Sequence, residues 1–423
     1  MKEINKLSRE YAKQLDQNDS LASFRKEFYI PKGSKYVDGN SLGLCCKEVE
    51  KALLRVLTEW KEKGIKGWFS GKIPWFYFSE KLGEMIAPLV GAEKDEVIAT
   101  GTTTVNLHAL VSSFYQPKKS KTKILADVLN FPTDIYALRS QIALKGYDPD
   151  SNLVLVPSED GRTLDEKTII EHMTNDIALI VLPSVLYRSG QLLDIELLVE
   201  EAHKRNILIG FDCSHSVGAI PHYFDKWEVD FAFWCSYKYL NGGPGSPAFL
   251  YVNKKHFNVH PGLAGWFGNK KETQFDMSLD FEPAGTAGQW QISSPTMLGA
   301  AAIQGSLKII KQAGIKKIRE KSLVMTNYLI TLVETKLREK PYNCKIRTPK
   351  DDKQRGGHIA IECKHAEAIT KALQSKGVIP DYRPPNIIRI APTALYNTFE
   401  EIWEIVNIIQ TIIDEKTYNK FAT

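Results

Sequence analysis

Short apolar runs recur through the middle of the chain, and stretches of helical periodicity lie between them. KILAD (123–127), NLVLVP (152–157), IALIVLP (177–183) and ILIGFD (207–212) are the clearest runs. Before the last of them, DIELLVEEAHKRN (194–206) places Ile195, Leu198, Val199 and Ala202 on one helical face. This alternation predicts a parallel sheet covered on both faces, because a parallel crossover needs a dozen or more residues and a helix supplies them. VDFAFWCS (229–236) and PAFLYV (247–252) read as two further strands, closer together. The expected class is α/β.

At roughly 100–200 residues per domain, 423 residues suggest two or three domains, or one large α/β domain with a smaller partner. The last hundred or so residues change character. GHIAIEC (357–363) and IIRIAP (387–392) read as strands, and HAEAITKALQSKG (365–377) as a helix closed by Gly377. A long amphipathic helix is expected from Asn397, with Asn397 and Glu400 at capping-box spacing. The chain therefore divides into an N-terminal arm that joins the small domain (1–50), a large domain (51–305) and a small α+β domain (306–423), with a helical stretch around 298–335 as the link.

Composition narrows the function. A net charge of +5 is small against 55 basic and 50 acidic residues, and no basic run is interleaved with aromatics, so nucleic acid is not an expected partner. The segment MKEINKLSREYAKQLDQNDS mixes both signs of charge without an apolar centre, unlike a signal peptide. The longest apolar stretch, IALIVLPSVL (177–186), is far short of the ~20 residues that span a bilayer. A cytoplasmic location and no membrane partner are expected. Among Cys45, Cys46, Cys213, Cys235, Cys344 and Cys363 no CxxC occurs, and most are expected to be reduced core residues. His256 and His260 have helical metal-ligand spacing, but Asn258 and Pro261 argue against a helix there, so no metal is expected.

One lysine stands out. In CSYKYLNGGPG (235–245), Lys238 follows an apolar strand and precedes a cluster of glycines. Alone, it reads as a strand-end lysine whose head reaches water. However, GFDCSH (210–215) ends the preceding strand, and in doubly wound sheets ligands bind outside the carboxyl ends of the strands. Asp212, His215 and Lys238 are thus expected in one crevice. An amine and a carboxylate so placed suit pyridoxal phosphate, which forms a Schiff base with lysine and needs an anion at its ring nitrogen. GTTTVNLHAL (101–110) opens a helix with hydroxyl residues, a candidate phosphate cradle through Thr103 and Thr104, although an ordinary helix cap has the same look. FPTD (131–134) follows the KILAD strand and offers Phe131 to stack on a ring and Asp134 near its edge.

These segments, in this order, resemble the kynureninase family of fold-type-I pyridoxal-phosphate enzymes. The resemblance runs from YVDGNSLGL (36–44) to ALYN (394–397) and includes TVNLH, FPTD, FDCSHSVG, WCSYKYLNGGPG, GWFG (265–268) and IRIAP. Cysteine desulfurases and related aminotransferases share the fold but typically carry histidine before the lysine, where Tyr237 stands here. The resemblance implies hydrolytic cleavage of L-kynurenine, and of its 3-hydroxy analogue to a lesser degree, to anthranilate-type products and L-alanine. It implies that Lys238 forms the Schiff base and moves the α-proton, and that Asp212 pairs with the ring nitrogen with Asp134 close by. Phe131 would stack on the ring, Thr103 and Thr104 would hold the phosphate, Tyr237 would touch the phosphate and act as general acid/base, and His215 would stand beside the cofactor. Arg389 would bind the substrate carboxylate, with Ser41 and Trp68 also facing substrate. Trp266 and Ser294 would reach the cofactor of a second subunit, so a homodimer with shared sites is implied.

The chain departs from the family pattern in places. Pro183 stands where a phosphate-binding serine is usual, and proline has neither hydroxyl nor N–H; Ser184 is the candidate replacement. Trp68 and Ser294 differ from the histidine and asparagine of animal members, which leaves fewer polar partners for a 3-hydroxyl group. A desulfurase would need a reactive cysteine on a mobile loop, and a non-enzymatic binder on the same scaffold would be expected to lack Lys238 or Asp212.

Overall fold

The computed structural model describes residues 5–422. Its centre is a seven-stranded sheet built from β1 (Val97–Thr100), β2 (Lys123–Asp127), β3 (Leu153–Val156), β4 (Ile177–Pro183), β5 (Leu208–Asp212), β6 (Phe231–Trp234) and β7 (Ala248–Val252). The strand order is β1-β7-β6-β5-β4-β2-β3, and β7 is antiparallel to both its neighbours while the other pairs are parallel. Consecutive side chains go to opposite faces. Leu179, Val181, Phe231 and Phe233 enter one core, whereas Ile180, Leu182, Ala232 and Trp234 enter the other. A fully buried Leu, Ile or Phe contributes about 1.5–3 kcal/mol, so a strand apolar on both faces is stable only when helices cover both.

The C-terminal part has a separate core and a four-stranded antiparallel sheet of β8 (Lys345–Ile346), β9 (Ile359–Glu362), β10 (Asp381–Arg383) and β11 (Ile387–Ile390), in the order β10-β11-β9-β8. Helices Met297–Ala313 and Ile315–Lys336 lead into it, separated by Gly314 at φ +80°. The N-terminal segment packs on this part. Lys35–Tyr36 pairs with Val378–Ile379, and Asp16 accepts from the backbone N–H groups of Phe399 (2.7 Å) and Glu400 (2.9 Å). Asp16 thus caps, from nearly four hundred residues away, the last long helix, Phe399–Asp414.

That helix corrects one expectation. Its N-cap is Thr398, reciprocally bonded with Glu401, one residue beyond the Asn397/Glu400 pair. The Asn397 side chain instead holds Thr393 N and Tyr36 O, which fixes the chain entering the helix. The cysteines need a second correction, because Cys344 and Cys363 form a disulfide. Lys345 pairs with Glu362 across the antiparallel β8–β9 ladder, so the next pair outward is Cys344 and Cys363, with Cα atoms 4.6 Å apart. Cys46, Cys213 and Cys235 are free and buried, and Cys45 is free and exposed.

His256 and His260 do not share a ligand. His256 Nε2 lies 2.7 Å from Asp230, while the His260 ring packs against Phe281. Asp230 is fully buried and joins three segments. It accepts from Ile209 N (2.9 Å), pairs with His203 (2.9 Å) and His256, and lies 2.9 Å from Lys255 Nζ. Burial alone would raise its pKa, but the His203 and His256 hydrogen bonds and the Lys255 charge outweigh burial and hold it well below the usual carboxylate range. Replacing Asp230 with alanine is expected to cost about 3 kcal/mol, the scale for breaking a buried ionic cluster; a urea titration checks this, and a loss under about 1 kcal/mol contradicts it. Because the folded pKa is below the unfolded one, the contribution is whole above about pH 4 and is lost as pH falls further. Among the described residues, no helix is long and apolar enough to cross a membrane.

Candidate active site

The sheet order reverses at β2, which has β3 on one side and β4 on the other. A crevice opens outside the carboxyl ends at such a point, and ligands of doubly wound sheets bind there. Here it holds a cavity of about 180 Å³. Leu129 to Asp134 follow β2, Pro183 and Val185 end β4, and Asp212, Ser214 and His215 end β5; Tyr237 and Lys238 follow β6, while Thr103 and Thr104 close the cavity from a helix start.

Lys238 sits on a loop that another segment of the chain clamps. Gly43 N donates to Tyr237 O (2.7 Å) and Asn241 N to Lys238 O (2.9 Å). A Cβ at Gly43 would lie 2.3 Å from Lys238 O, so only glycine allows this approach, which accounts for the second glycine of GNSLGL. Lys238 Nζ is 2.9 Å from His215 Nε2. Burial, then the Lys238 and Arg389 charges, push the His215 pKa well down, so the ring is neutral. With Lys238 donating to Nε2, the ring proton is assigned to Nδ1, which has no partner among the described residues.

A carboxylate group lies opposite. Asp212 accepts from Ser214 N at 2.8 Å. Asp134 is 1% exposed, and neither of its oxygens has a hydrogen-bond partner among the described residues. Burial, then the neighbouring Asp212 charge, raise its pKa well above the carboxylate range. Beside the Asp212 carboxylate, buried Asp134 is thus held toward its protonated form. Behind them Asp127, at the end of β2, is pushed up to about 7 by burial and accepts from Leu129 N (2.9 Å). Sequence reasoning missed Asp127, although it closes the KILAD run.

The helix Thr103–Phe114 begins with no side-chain cap, which leaves its first N–H groups facing the cavity. Thr104 Oγ1 is 3.2 Å from Thr133 Oγ1. Phe131 is 41% exposed and meets Tyr187 edge-on at 5.2 Å. Tyr237 lies beside Lys238, and burial raises its pKa, so the phenol keeps its proton. Pro183 does line the cavity, but Ser184 is not its replacement. The Ser184 hydroxyl turns inward to Asp212 O (3.1 Å) and Ser216 Oγ (2.7 Å). Ser214, inside the FDCSHS segment but not singled out from sequence, faces the cavity instead.

The other expected residues stand apart from this cavity. Arg389 is fully buried on β11 and donates from Nε to Asp381 (2.6 Å), from Nη2 to Ser41 Oγ (3.1 Å) and from Nη1 to Tyr187 O. Tyr187 lines the cavity, so Arg389 and Ser41 border the site through it. Trp68 packs on Trp75 (5.9 Å) and Phe267 (6.0 Å), Trp266 is 50% exposed and donates to Gln274 O, and Ser294 is exposed. None of these three reaches the Lys238 cavity of its own chain.

The fold is that of the class V, fold-type-I pyridoxal-phosphate-dependent enzymes. It matches the cysteine desulfurase of Thermococcus onnurineus NA1 with a TM-score of 0.77 over 93% of this chain and 98% of that one, at 17% identity. The cysteine desulfurase CsdA of Escherichia coli matches with a TM-score of 0.76 over 94% and 99%, at 18% identity. At such identities the likeness is one of fold. In sequence, the kynureninase of Geobacillus thermodenitrificans (strain NG80-2) is 59% identical over 413 residues, 98% of this chain and 96% of the relative. That of Bacillus anthracis is 55% identical over 412 residues, 97% and 96%. The family model described as the kynureninase C-terminal domain matches residues 318–409. The chain belongs to the kynureninase family.

Proposed function

We propose that the protein binds pyridoxal 5′-phosphate at Lys238 and cleaves L-kynurenine with water to anthranilate and L-alanine. The observation that carries this is the Lys238 cavity, with its amine, neutral imidazole and carboxylate pair, in a chain 59% identical to a curated kynureninase. The residues fit the cofactor. Half-buried Asp212 and buried Asp134, whose oxygens have no partner among the described residues, offer carboxyl groups to a protonated ring nitrogen, and the uncapped helix start at Thr103 and Thr104 offers N–H groups to a phosphate. Bound pyridoxal phosphate supplies an electron-poor ring that stabilises a carbanion next to the substrate amine.

The chain's own groups do the rest. With the cofactor bound, Asp212 would keep the ring nitrogen protonated, and Phe131 would lie against the ring. Lys238 would hold the cofactor through its Nζ and would move the α-proton at that same atom; neutral His215 orients the amine by accepting from it. Tyr237, kept protonated by burial, serves as a general acid, a role worth roughly 10²–10⁴ in rate. Arg389 presents its fork to the substrate carboxylate with Ser41 beside it. Trp68, Trp266 and Ser294 serve the site of a second copy, in a homodimer; their distance from their own cavity and the exposure of Trp266 and Ser294 support this. The same reading divides the chain at residues 1–50, 51–305 and 306–423, and the separate core of the last part supports it.

Desulfurase chemistry is the competing reading on this fold. It requires a thiolate. Burial raises the pKa of all four free thiols, Cys213 and Cys46 to about 12 and about 11, and the other two cysteines are joined. The test is the appearance of anthranilate fluorescence when the cofactor-loaded protein meets L-kynurenine or 3-hydroxy-L-kynurenine. We expect both to react and L-kynurenine to have the higher kcat/KM, since Trp68 and Ser294 offer the extra hydroxyl few partners. No product from either sinks the reading.

A further inference from the structure

His358, which no sequence pattern singled out, is fully buried; neither ring nitrogen makes a well-formed hydrogen bond among the described residues, and the nearest polar group acting on the ring is the Tyr187 carbonyl. An unpaired buried imidazole is costly unless it serves something. Its direction follows from the sheet. Ala360 opposes Arg389 in the β9–β11 ladder, and Ile359, Ile361, Ile388 and Ile390 all enter the C-terminal core. His358, two residues before Ala360, therefore shares the Arg389 face, turned away from that core. Its ring centroid is 5.7 Å from that of His215, the partner of Lys238. Arg389, Lys238 and Arg383 all act on it with positive charge. The Tyr187 carbonyl that faces it accepts from Arg389. On the other side Gly190, at φ +77°, comes so close that a Cβ would lie 3.2 Å from His358 Nε2.

A neutral donor set between a buried guanidinium and an active-site amine suits one ligand class, the carboxylate end of an α-amino acid. We propose that His358 is a third contact for that end of the substrate, donating from its imidazole to the carboxylate that Arg389 holds. This rests on the amino-acid reading of the site given above. His358 reaches the ligand from the C-terminal part of the chain, as Arg389 does, so the two read the amino-acid portion and leave the aromatic portion to other groups.

The test uses cofactor-loaded protein with His358→Phe, which keeps a ring without a donor, and His358→Gln, which keeps a donor. Three readouts are needed: KM for L-kynurenine, the dissociation constant of L-alanine from the change in visible absorption, and inhibition by anthranilate, which lacks the amino-acid end. We expect His358→Phe to raise the first two about tenfold, the loss of one hydrogen bond to a charged group. Anthranilate inhibition and the cofactor spectrum should stay within about twofold, and His358→Gln should recover most of the loss. Unchanged KM and L-alanine binding in His358→Phe overturn the proposal. So does a parallel shift of anthranilate inhibition and cofactor spectrum, which marks a structural role, and so does a His358→Gln protein no better than His358→Phe. L-alanine binding is readable even if the wild-type protein fails to cleave L-kynurenine, so failure of the reaction assignment is told apart from failure of this one.

Discussion

Replacing Lys238 with alanine is expected to leave no cofactor that borohydride can fix to the chain and to reduce turnover of L-kynurenine by at least about 10³-fold. General acid/base help of the kind proposed for Lys238 is alone worth roughly 10²–10⁴, and the proposed covalent link to the cofactor would be lost with it. The fold should survive. Lys238 is only half-buried, its one side-chain partner is neutral His215, and the loop around it is held by backbone bonds from Gly43 and Asn241. Urea unfolding within about 1 kcal/mol of wild type is therefore expected, as for substitutions that create neither a large cavity nor an unpaired charge. The substitution also removes a positive charge that lowers the Asp134 pKa, so Asp134 should hold its proton more tightly. A stable, active Lys238→Ala protein whose cofactor borohydride still fixes to the chain contradicts the assignment of the covalent link.

Arg389→Ala is the second large effect, and it should strike both binding and stability. The guanidinium is fully buried, and its donors go to Asp381, Ser41 and the Tyr187 carbonyl. Removing it leaves Asp381 with Arg383 (2.8 Å) as its remaining partner and empties a space under the cavity wall. A cost of about 2–4 kcal/mol in folding is expected, below the full figure for a broken buried pair because Arg383 remains. Charge-assisted hydrogen bonds are worth about 1.5–3 kcal/mol each, so losing two to the substrate carboxylate should lower kcat/KM by about 10²-fold or more. Arg389→Lys separates the two effects. It keeps the charge beside Asp381 but not the fork, so stability should recover more than KM does. A wild-type KM in a folded Arg389→Ala protein contradicts the carboxylate role.

Much of the fold could be read locally. The runs at 123–127, 177–183 and 207–212 became strands within a residue because both their faces are apolar, and the helix expected within 194–206 runs from Ile195 to Lys204, capped by Asp194. The site was legible for a related reason. In this topology the residue after each strand end points into one crevice, so Phe131, Asp134, Asp212, His215 and Lys238 meet although they are far apart in the chain. What escaped depends on pairings between distant segments. β1 (Val97–Thr100) is recognisable only beside β7, its antiparallel neighbour. Asp16 caps a helix whose start was placed one residue early, and Cys344 meets Cys363 through the register of two strands. His358 gains meaning only from lying on the Arg389 face. Trp68, expected to face substrate, instead packs on Trp75 and Phe267 outside the Lys238 cavity.

The central claim is the reaction itself, and product stoichiometry tests it most directly. The cofactor-loaded protein should be given L-kynurenine and, in a parallel sample, L-cysteine, with anthranilate, L-alanine and sulfide all measured. The account predicts one anthranilate and one L-alanine for each L-kynurenine consumed, and no comparable turnover of L-cysteine. Alanine and sulfide from L-cysteine, with no anthranilate from L-kynurenine, would contradict it.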